Sequence, residues 1–257
     1  MLELYHDWRS FCSIKVRLCL AEKGLAWESR EVDLMALEHT RPEYLKLNPN
    51  GVVPTLVHDG APIIESTIIN EYIDEVFPDP PLLPRDPISR AQARAWVKFE
   101  DDVLHPVIRP ATFNLLMAPL LARLPDDELE ALVARHPDRS RAEQYRAAAR
   151  SPLDVAAIGT ARAAMEAALD RMERRLASAP WLGGETYSLA DVAAAPFVDR
   201  LEEMNFAGLW SGRPAVNAWI ARLKSRPAYQ TAIPAAAQRF PAPARGQTRG
   251  SGLVRGH

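Results

Sequence analysis

The stretch Asn48-Pro49-Asn50-Gly51-Val52-Val53-Pro54-Thr55-Leu56-Val57-His58-Asp59-Gly60-Ala61-Pro62-Ile63-Ile64-Glu65-Ser66 decides how this chain is read. Asn48 to Gly51 are loop residues, and 53–57 has the apolar, β-branched character of a strand. Its second residue is a proline, which cannot donate a ladder hydrogen bond and is out of place in a central strand. His58-Asp59-Gly60 is a hairpin signal leading into a second strand at 61–64. Glu65-Ser66 then opens a helix over 67–76.

Working outward toward the N-terminus, residues 1–5 alternate apolar and polar as a strand does, and His6 to Ser10 form a polar turn. From Ser13 the period changes. Ile14, Arg17, Leu18 and Ala21, with Cys19 and Leu20, form one largely apolar helix face that stops at Lys23-Gly24. A second strand at 27–32 runs parallel to the first if the helix between them is a right-handed crossover. With a short helix at 42–47, the order is βαβαββα.

Toward the C-terminus, 77–87 holds five prolines and serves as a linker. Beyond it the patterns are helical: a long stretch over 88–117 interrupted at Pro106 and Pro110, an acidic-then-basic helix at 125–136, a basic one at 139–150 and an alanine-rich one at 155–177. Ser188-Leu189-Ala190-Asp191 is a capping box with Asp in place of Glu, and a last helix surrounds Trp219. From 236 onward the chain is rich in Pro, Gly and Arg and is expected to be disordered. The expected organisation is an α/β unit at 1–78, a linker at 79–87, an all-α unit at 88–235 and a tail at 236–257.

The 257 residues are 47% hydrophobic and 25% charged, which excludes collagenous, coiled-coil and wholly disordered classes. The net charge of −2 lacks the field of a nucleic-acid binder. That near balance hides an asymmetry: residues 1–80 carry 7 Lys and Arg against 14 Asp and Glu, while the remaining 177 residues carry 24 against 19. The two cysteines, Cys12 and Cys19, lie two helical turns apart, too far to bridge. With no secretory leader and no apolar run of about 18 residues, the expectation is a cytoplasmic protein with reduced thiols and no membrane association.

Four motifs in order carry a family resemblance: Ser10-Phe-Cys-Ser-Ile-Lys-Val-Arg17, Asn48 to Leu56, Glu65-Ser66 and Ser188-Leu-Ala-Asp191. Over about residues 1–235 the chain resembles a cytosolic glutathione transferase. The resemblance implies an α/β thioredoxin-like N-terminal domain followed by an all-α C-terminal domain. It implies a cis bond before Pro54 that frees the Val53 backbone to pair with an extended peptide. Glutathione, the cosubstrate, is such a peptide. By the same resemblance Glu65 and Ser66 hold its γ-glutamyl end at a helix N-terminus, and His39 holds its glycyl carboxylate or is simply a solvent-exposed loop residue. Asp101 or Asp102 reaches the amine across a dimer or lies on a solvated helix face.

Activation of the thiol falls to one of three residues near the first helix: Ser10 first, Ser13 second and Cys12 third. Ser10 occupies the position of the serine classes, Cys12 that of the bacterial beta class, and Ser13 the serine discussed for bacterial β-aryl etherases. Tyr5 sits at a strand end, where its ring packs. The expected electrophile pocket is walled by Trp8, Phe11, Phe113, Leu116 and Met117, with His105 and Arg109 as polar members. An insertion at 119–154 resembles that of bacterial glutathione-dependent β-etherases. The expected partners are glutathione and a hydrophobic electrophile, within a homodimer and without a metal. Cleavage of β-aryl ethers, a non-catalytic ligand-binding role and thiol-disulfide reduction through Cys12 remain as alternatives.

Overall fold

The alternating N-terminus forms β1 (Leu2–His6), followed by α1 (Phe11–Glu22), β2 (Glu28–Glu31), a 3-10 turn at Glu38–Thr40, α2 (Pro42–Leu45), β3 (Thr55–His58), β4 (Ala61–Ile64) and α3 (Ser66–Val76). The structure is a computed structural model that describes residues 1–136, 138–151 and 154–233; the tail expected at 236–257 lies outside the described residues. The four strands lie in the order β2-β1-β3-β4. β1 is parallel to β2, with Tyr5 opposite Arg30, and antiparallel to β3, with Tyr5 opposite Thr55. The sheet with its helices is thioredoxin-like. Because β3 lies inside the sheet, its ladder begins at Thr55, after the cis Val53-Pro54 bond and not at Val53, so no central ladder position falls on the proline.

The second half is helical. α4 (Pro87–Phe99), α5 (His105–Thr112) and α6 (Ala118–Leu121) follow one another through two wide π turns, Glu100–Leu104 and Phe113–Met117, in which the His105 N–H reaches Glu100 O and the Ala118 N–H reaches Phe113 O, five residues back. A proline follows each wide turn: Pro106 after the first and Pro119 after the second. A proline has no N–H for an i−4 bond and its ring crowds that carbonyl, and widening the preceding turn relieves both defects. The expected interruption at Pro110 does not occur; that residue sits inside α5.

α7 (Asp126–Arg135) and α8 (Arg139–Arg150) pair through a small core of Leu129, Val133 and Ala142. Their opposite charges meet, with Glu130 accepting from Arg146 at 2.8 Å and Arg150 at 2.7 Å. α9 (Val155–Leu176), α10 (Leu189–Glu203), α11 (Pro214–Ser225) and α12 (Pro227–Ala232) complete the described chain. Every residue of α10 from Leu189 to Leu201 is buried, which makes it the axis of the helical half. None of the described helices is long and apolar enough to cross a membrane.

α1 lies between the sheet half and α10 and α12, and its residues Ser13 to Leu20 are all buried, including Lys15 and Arg17. The Arg17 guanidinium donates to Ala232 O at 3.0 Å and to Asp7 O at 3.2 Å, covers the Trp8 ring at 4.6 Å and donates to His6 Nδ1 at 3.2 Å. An arginine can only donate, so His6 Nδ1 accepts and its proton is on Nε2, 2.8 Å from Ser29 Oγ. Burial, with the Arg17 charge adding to it, pulls His6 down to about 3.

Two predictions follow from this core. Asp191 is fully buried and accepts from the Leu182 N–H at 2.9 Å, the Ser188 N–H at 3.0 Å and Trp219 Nε1 at 2.8 Å, closing the capping box. Asp191→Ala strands these donors and is expected to lower unfolding free energy by at least about 3 kcal/mol, measured by denaturant titration; a loss under about 1 kcal/mol refutes this role. His6 has a folded value of about 3 against an unfolded 6.5, so below pH 6.5 the unfolded chain binds the proton first. Its stabilising contribution is complete above that value and falls by about 1.4 kcal/mol per pH unit as pH drops toward 3. Between pH 6.5 and 5 the wild type should lose about 2 kcal/mol more than His6→Asn; parallel slopes for the two proteins defeat the assignment.

Candidate active site

A cleft of about 680 Å³ opens where the N-termini of α1 and α3, the loop entering β3, α5 and α8 converge. Ser10 is the N-cap of α1: its Oγ accepts from the Ser13 N–H at 3.2 Å, which leaves its own proton free to be donated. The preceding loop is held by Arg9, which forks onto Asp7 at 3.0 and 2.6 Å and reaches Asp33 at 2.6 Å. Asp7 also accepts from the Leu34 N–H at 3.1 Å, so the turn bearing Ser10 and the loop bearing His39 share one anchor.

Of the three thiol-activating candidates, Ser10 and Cys12 line the cleft. Ser13 does not: it is fully buried in the first turn of α1, and its Oγ has no partner among the described residues. Helix phase explains the difference, because Ser13 faces the core one turn below the cap. Cys12 Sγ lies 3.9 Å from His105 Nδ1. His105 stacks on Phe11 with ring centroids 5.1 Å apart, and burial lowers its basicity, with Glu100 opposing. Cys19 is buried away from the cleft and its thiol is pushed up by burial.

Val53 and Pro54 line the same cleft, and among the described residues no hydrogen bond uses the Val53 N–H or C=O. Glu65 and Ser66 stand at its edge at the start of α3. Glu65 adopts φ 68°, an uncommon conformation for a residue with a side chain, costing on the order of 1–3 kcal/mol. Its carboxylate accepts from Asn50 Nδ2 at 3.2 Å, tying the loop before β3 to the N-terminus of α3.

Asp101 lines the cleft beside Ser66 and Thr67. It accepts from Lys15 at 3.0 Å and from Thr67 Oγ1 at 2.8 Å. Burial alone would raise its carboxyl, but Lys15 and Thr67 outweigh that and hold it below its ordinary value. Lys15 also pairs with the fully buried Glu100. Burial works against the Lys15 charge, yet Glu100, Cys12 and Asp101 together raise it. Burial pushes Glu100 up to about 8, with Lys15 opposing. Asp102 points the other way and pairs with Lys98 at 2.8 Å on an exposed face.

The electrophile side departs in part from the expected wall. Phe11, His105 and Arg109 line the cleft. Trp8 does not; it packs edge-on to His6 at 4.8 Å under Arg17. Phe113, Leu116 and Met117 are also absent from the lining: Phe113 still continues the α register from Arg109 but is taken up by α8, while Leu116 and Met117 lie in the wide turn that shifts the register beyond it. Phe113 instead stacks on Tyr145 of α8, with centroids 5.8 Å apart. Tyr145 and Arg141 reach the cleft from the insertion, alongside Thr67 and Ile68. Spacing alone could not reveal these additions, since α8 meets the cleft only through tertiary packing. Tyr5 packs beside Tyr44, 6.2 Å between centroids, as expected for its strand end.

His39 is 5% exposed yet lines the cleft, so it is not a solvated loop residue. Burial pulls it down to about 4, with His136 and Arg141 adding to the effect.

Comparison with known proteins bears on this geometry. The glutathione S-transferase N-terminal domain family matches residues 1–75, and the glutathione S-transferase C-terminal domain family matches 126–222. Glutathione S-transferase F13 of Arabidopsis thaliana is 31% identical over 236 residues, covering 91% of this chain and 95% of its own. Protein LigF of Sphingobium sp. strain SYK-6 is 29% identical over 233 residues. The crystal structure of that β-etherase superposes with a TM-score of 0.81 at 28% identity, over 90% of this chain and 98% of its own. Glutathione transferase F7 of Populus trichocarpa gives a TM-score of 0.74 at 30% identity, over 90% of this chain and 97% of its own. With both domains matched and full-length similarity on either side of the cleft, the chain belongs to the glutathione S-transferase family.

Proposed function

We propose that the chain is a glutathione transferase in which Ser10 stabilises the glutathione thiolate for attack on a hydrophobic electrophile. The observation that carries this reading is the Ser10 hydroxyl at the cap of α1: its oxygen is committed to the Ser13 N–H, so its proton is available to an acceptor in the cleft. A cysteine-type thiol titrates near roughly 8.5. A hydrogen bond to the charged sulfur contributes about 1.5–3 kcal/mol, equivalent to roughly one to two pKa units, and the N-terminus of the twelve-residue α1 adds to it. The thiolate then predominates at neutral pH.

Capture of the tripeptide falls to the free Val53 backbone, with Glu65 and Ser66 at the γ-glutamyl end and His39 at the glycyl end. Asp101, already engaged by Lys15 and Thr67, presents a carboxylate edge beside Ser66 for the γ-glutamyl ammonium. Phe11 and Tyr145 offer aromatic surface to the electrophile, and Arg109 offers a cation to an anionic leaving group. In the transfer step sulfur forms the new bond to carbon, and the leaving group departs with the electron pair of the broken bond. The homodimeric, cytoplasmic habit expected of the family is part of the same reading.

A second reading, glutathione-dependent cleavage of a β-aryl ether, is favoured by the likeness to the β-etherase LigF over 90% of this chain. It uses the same thiolate and differs in releasing a phenol. Turnover of a generic aryl halide and of a β-aryl ether model compound, each with and without glutathione, separates the two. Turnover of neither, together with no binding of glutathione, rejects both.

Ser10→Ala should lower kcat about tenfold to a hundredfold and diminish the ultraviolet absorbance of bound thiolate, with stability changed by less than about 1 kcal/mol. Cys12→Ala should retain most activity. Wild-type thiolate absorbance in the Ser10 variant removes Ser10 from this role, and loss of activity in the Cys12 variant would transfer the chemistry to the thiol.

A further inference from the structure

The helix pair α7 and α8 folds back over the loop that follows β2. Met35 and Ala36 of that loop and Leu124, Ala131 and Leu132 of the insertion share a cavity of about 400 Å³. Just beyond the end of α7, His136 stands edge-on to His39, 6.5 Å between centroids, and edge-on to Tyr145 at 5.4 Å. Arg141, one turn into α8, lines the cleft together with His39. Its only ion pair among the described residues is with the exposed Asp138, from Nε at 3.5 Å.

Two buried ring nitrogens in this group lack partners. His136 Nδ1 accepts from the Asp138 N–H at 3.0 Å, and burial, with Arg141 adding to it, lowers the basicity of the ring. A neutral ring that accepts at Nδ1 carries its proton on Nε2. That Nε2–H is buried with no acceptor among the described residues, and His39 Nδ1 is buried without a partner as well. Of these two rings only His39 lines the cleft, and it does so beside Arg141, whose ion pair among the described residues is with an exposed carboxylate; a cation placed next to a stranded buried polar group in a cleft favours an anion there.

The direction of the bound peptide identifies which anion. With the γ-glutamyl end at Glu65 and Ser66 and the chain extended past Val53, at roughly 3.3 Å per residue, the opposite end falls toward Gly51 and His39. Gly51 has φ +57°, and a side chain there would crowd the His39 carbonyl at 3.4 Å. Arg109 lies on α5 one turn after His105, and its charge acts on His105 and Tyr145, whereas the Arg141 charge acts on His39.

We propose that Arg141, together with His39 and with His136 packed behind it, seats the glycyl carboxylate of glutathione, so that the inserted helix α8 is part of the tripeptide site. The proposal rests on the reading of the cleft as a glutathione site. It gives the insertion a function in cosubstrate recognition as well as in shaping the electrophile wall.

The test compares binding of glutathione and of its glycyl amide to the wild type and to Arg141→Gln by titration calorimetry. The wild type should bind glutathione about tenfold or more tightly than the amide. Arg141→Gln should lose about tenfold for glutathione and little for the amide, so that the preference collapses. Equal weakening of both ligands, no change in either, or a change confined to the KM of the electrophile overturns the proposal while leaving the glutathione reading intact. A wild type that binds neither ligand overturns that reading itself.

Discussion

Two buried cations on one helix set the terms for the rest of the molecule. Lys15 and Arg17 lie on α1 with almost no solvent contact, and a charge so placed is tolerable only when partners surround it. None of their main partners comes from α1. Lys15 finds Glu100 and Asp101 in the first wide turn, and Arg17 finds His6, Asp7 and the Ala232 carbonyl. The sheet half and the helical half are therefore joined through the helix whose N-terminus carries Ser10. Rigidity at that terminus has a chemical use, since a donor helps a thiolate only if it is held in place.

Irregular backbone is the means by which the helical half meets this demand. The first wide turn delivers Glu100 and Asp101 to Lys15 and resets the phase of α5 so that His105 and Arg109 reach the cleft. The second shifts the register after Phe113, which itself packs against Tyr145 of α8. Strain at Glu65 has a comparable role, turning the chain from β4 into α3 so that Glu65 and Ser66 stand at the cleft edge. The first wide turn and the Glu65 backbone both place residues in the cleft, where local regularity is given up for placement.

Legibility of the site followed the range of the forces involved. Pro54, Glu65 and Ser66 could be read because prolines, hairpins and helix starts leave local signatures, while Ser10 and the Val53 backbone were reached through the family resemblance; each lines the cleft. Ser13 could not be separated from Ser10 by position alone, because its burial depends on which side of α1 meets α10 and α12. Trp8 looked like a pocket aromatic and proved to be the cover for Arg17. Tyr145 and Arg141 gave no warning, lying in a segment legible only as an acidic-basic helix pair.

The linear pattern by itself determined the βαβαββα order, the helical character of the second half, the capping box at Ser188 and Asp191, and the special status of Pro54. All of these arise from interactions within a few residues, where hydrogen-bonding capacity and side-chain periodicity are written directly in the chain. Only the tertiary structure decided that α1 would bury Lys15 and Arg17, that Pro106 and Pro119 would be met by wide turns while Pro110 would not, and that α8 would close over His39. Those outcomes depend on burial and on charge pairing between residues as far apart as Arg17 and Ala232, for which no local pattern exists.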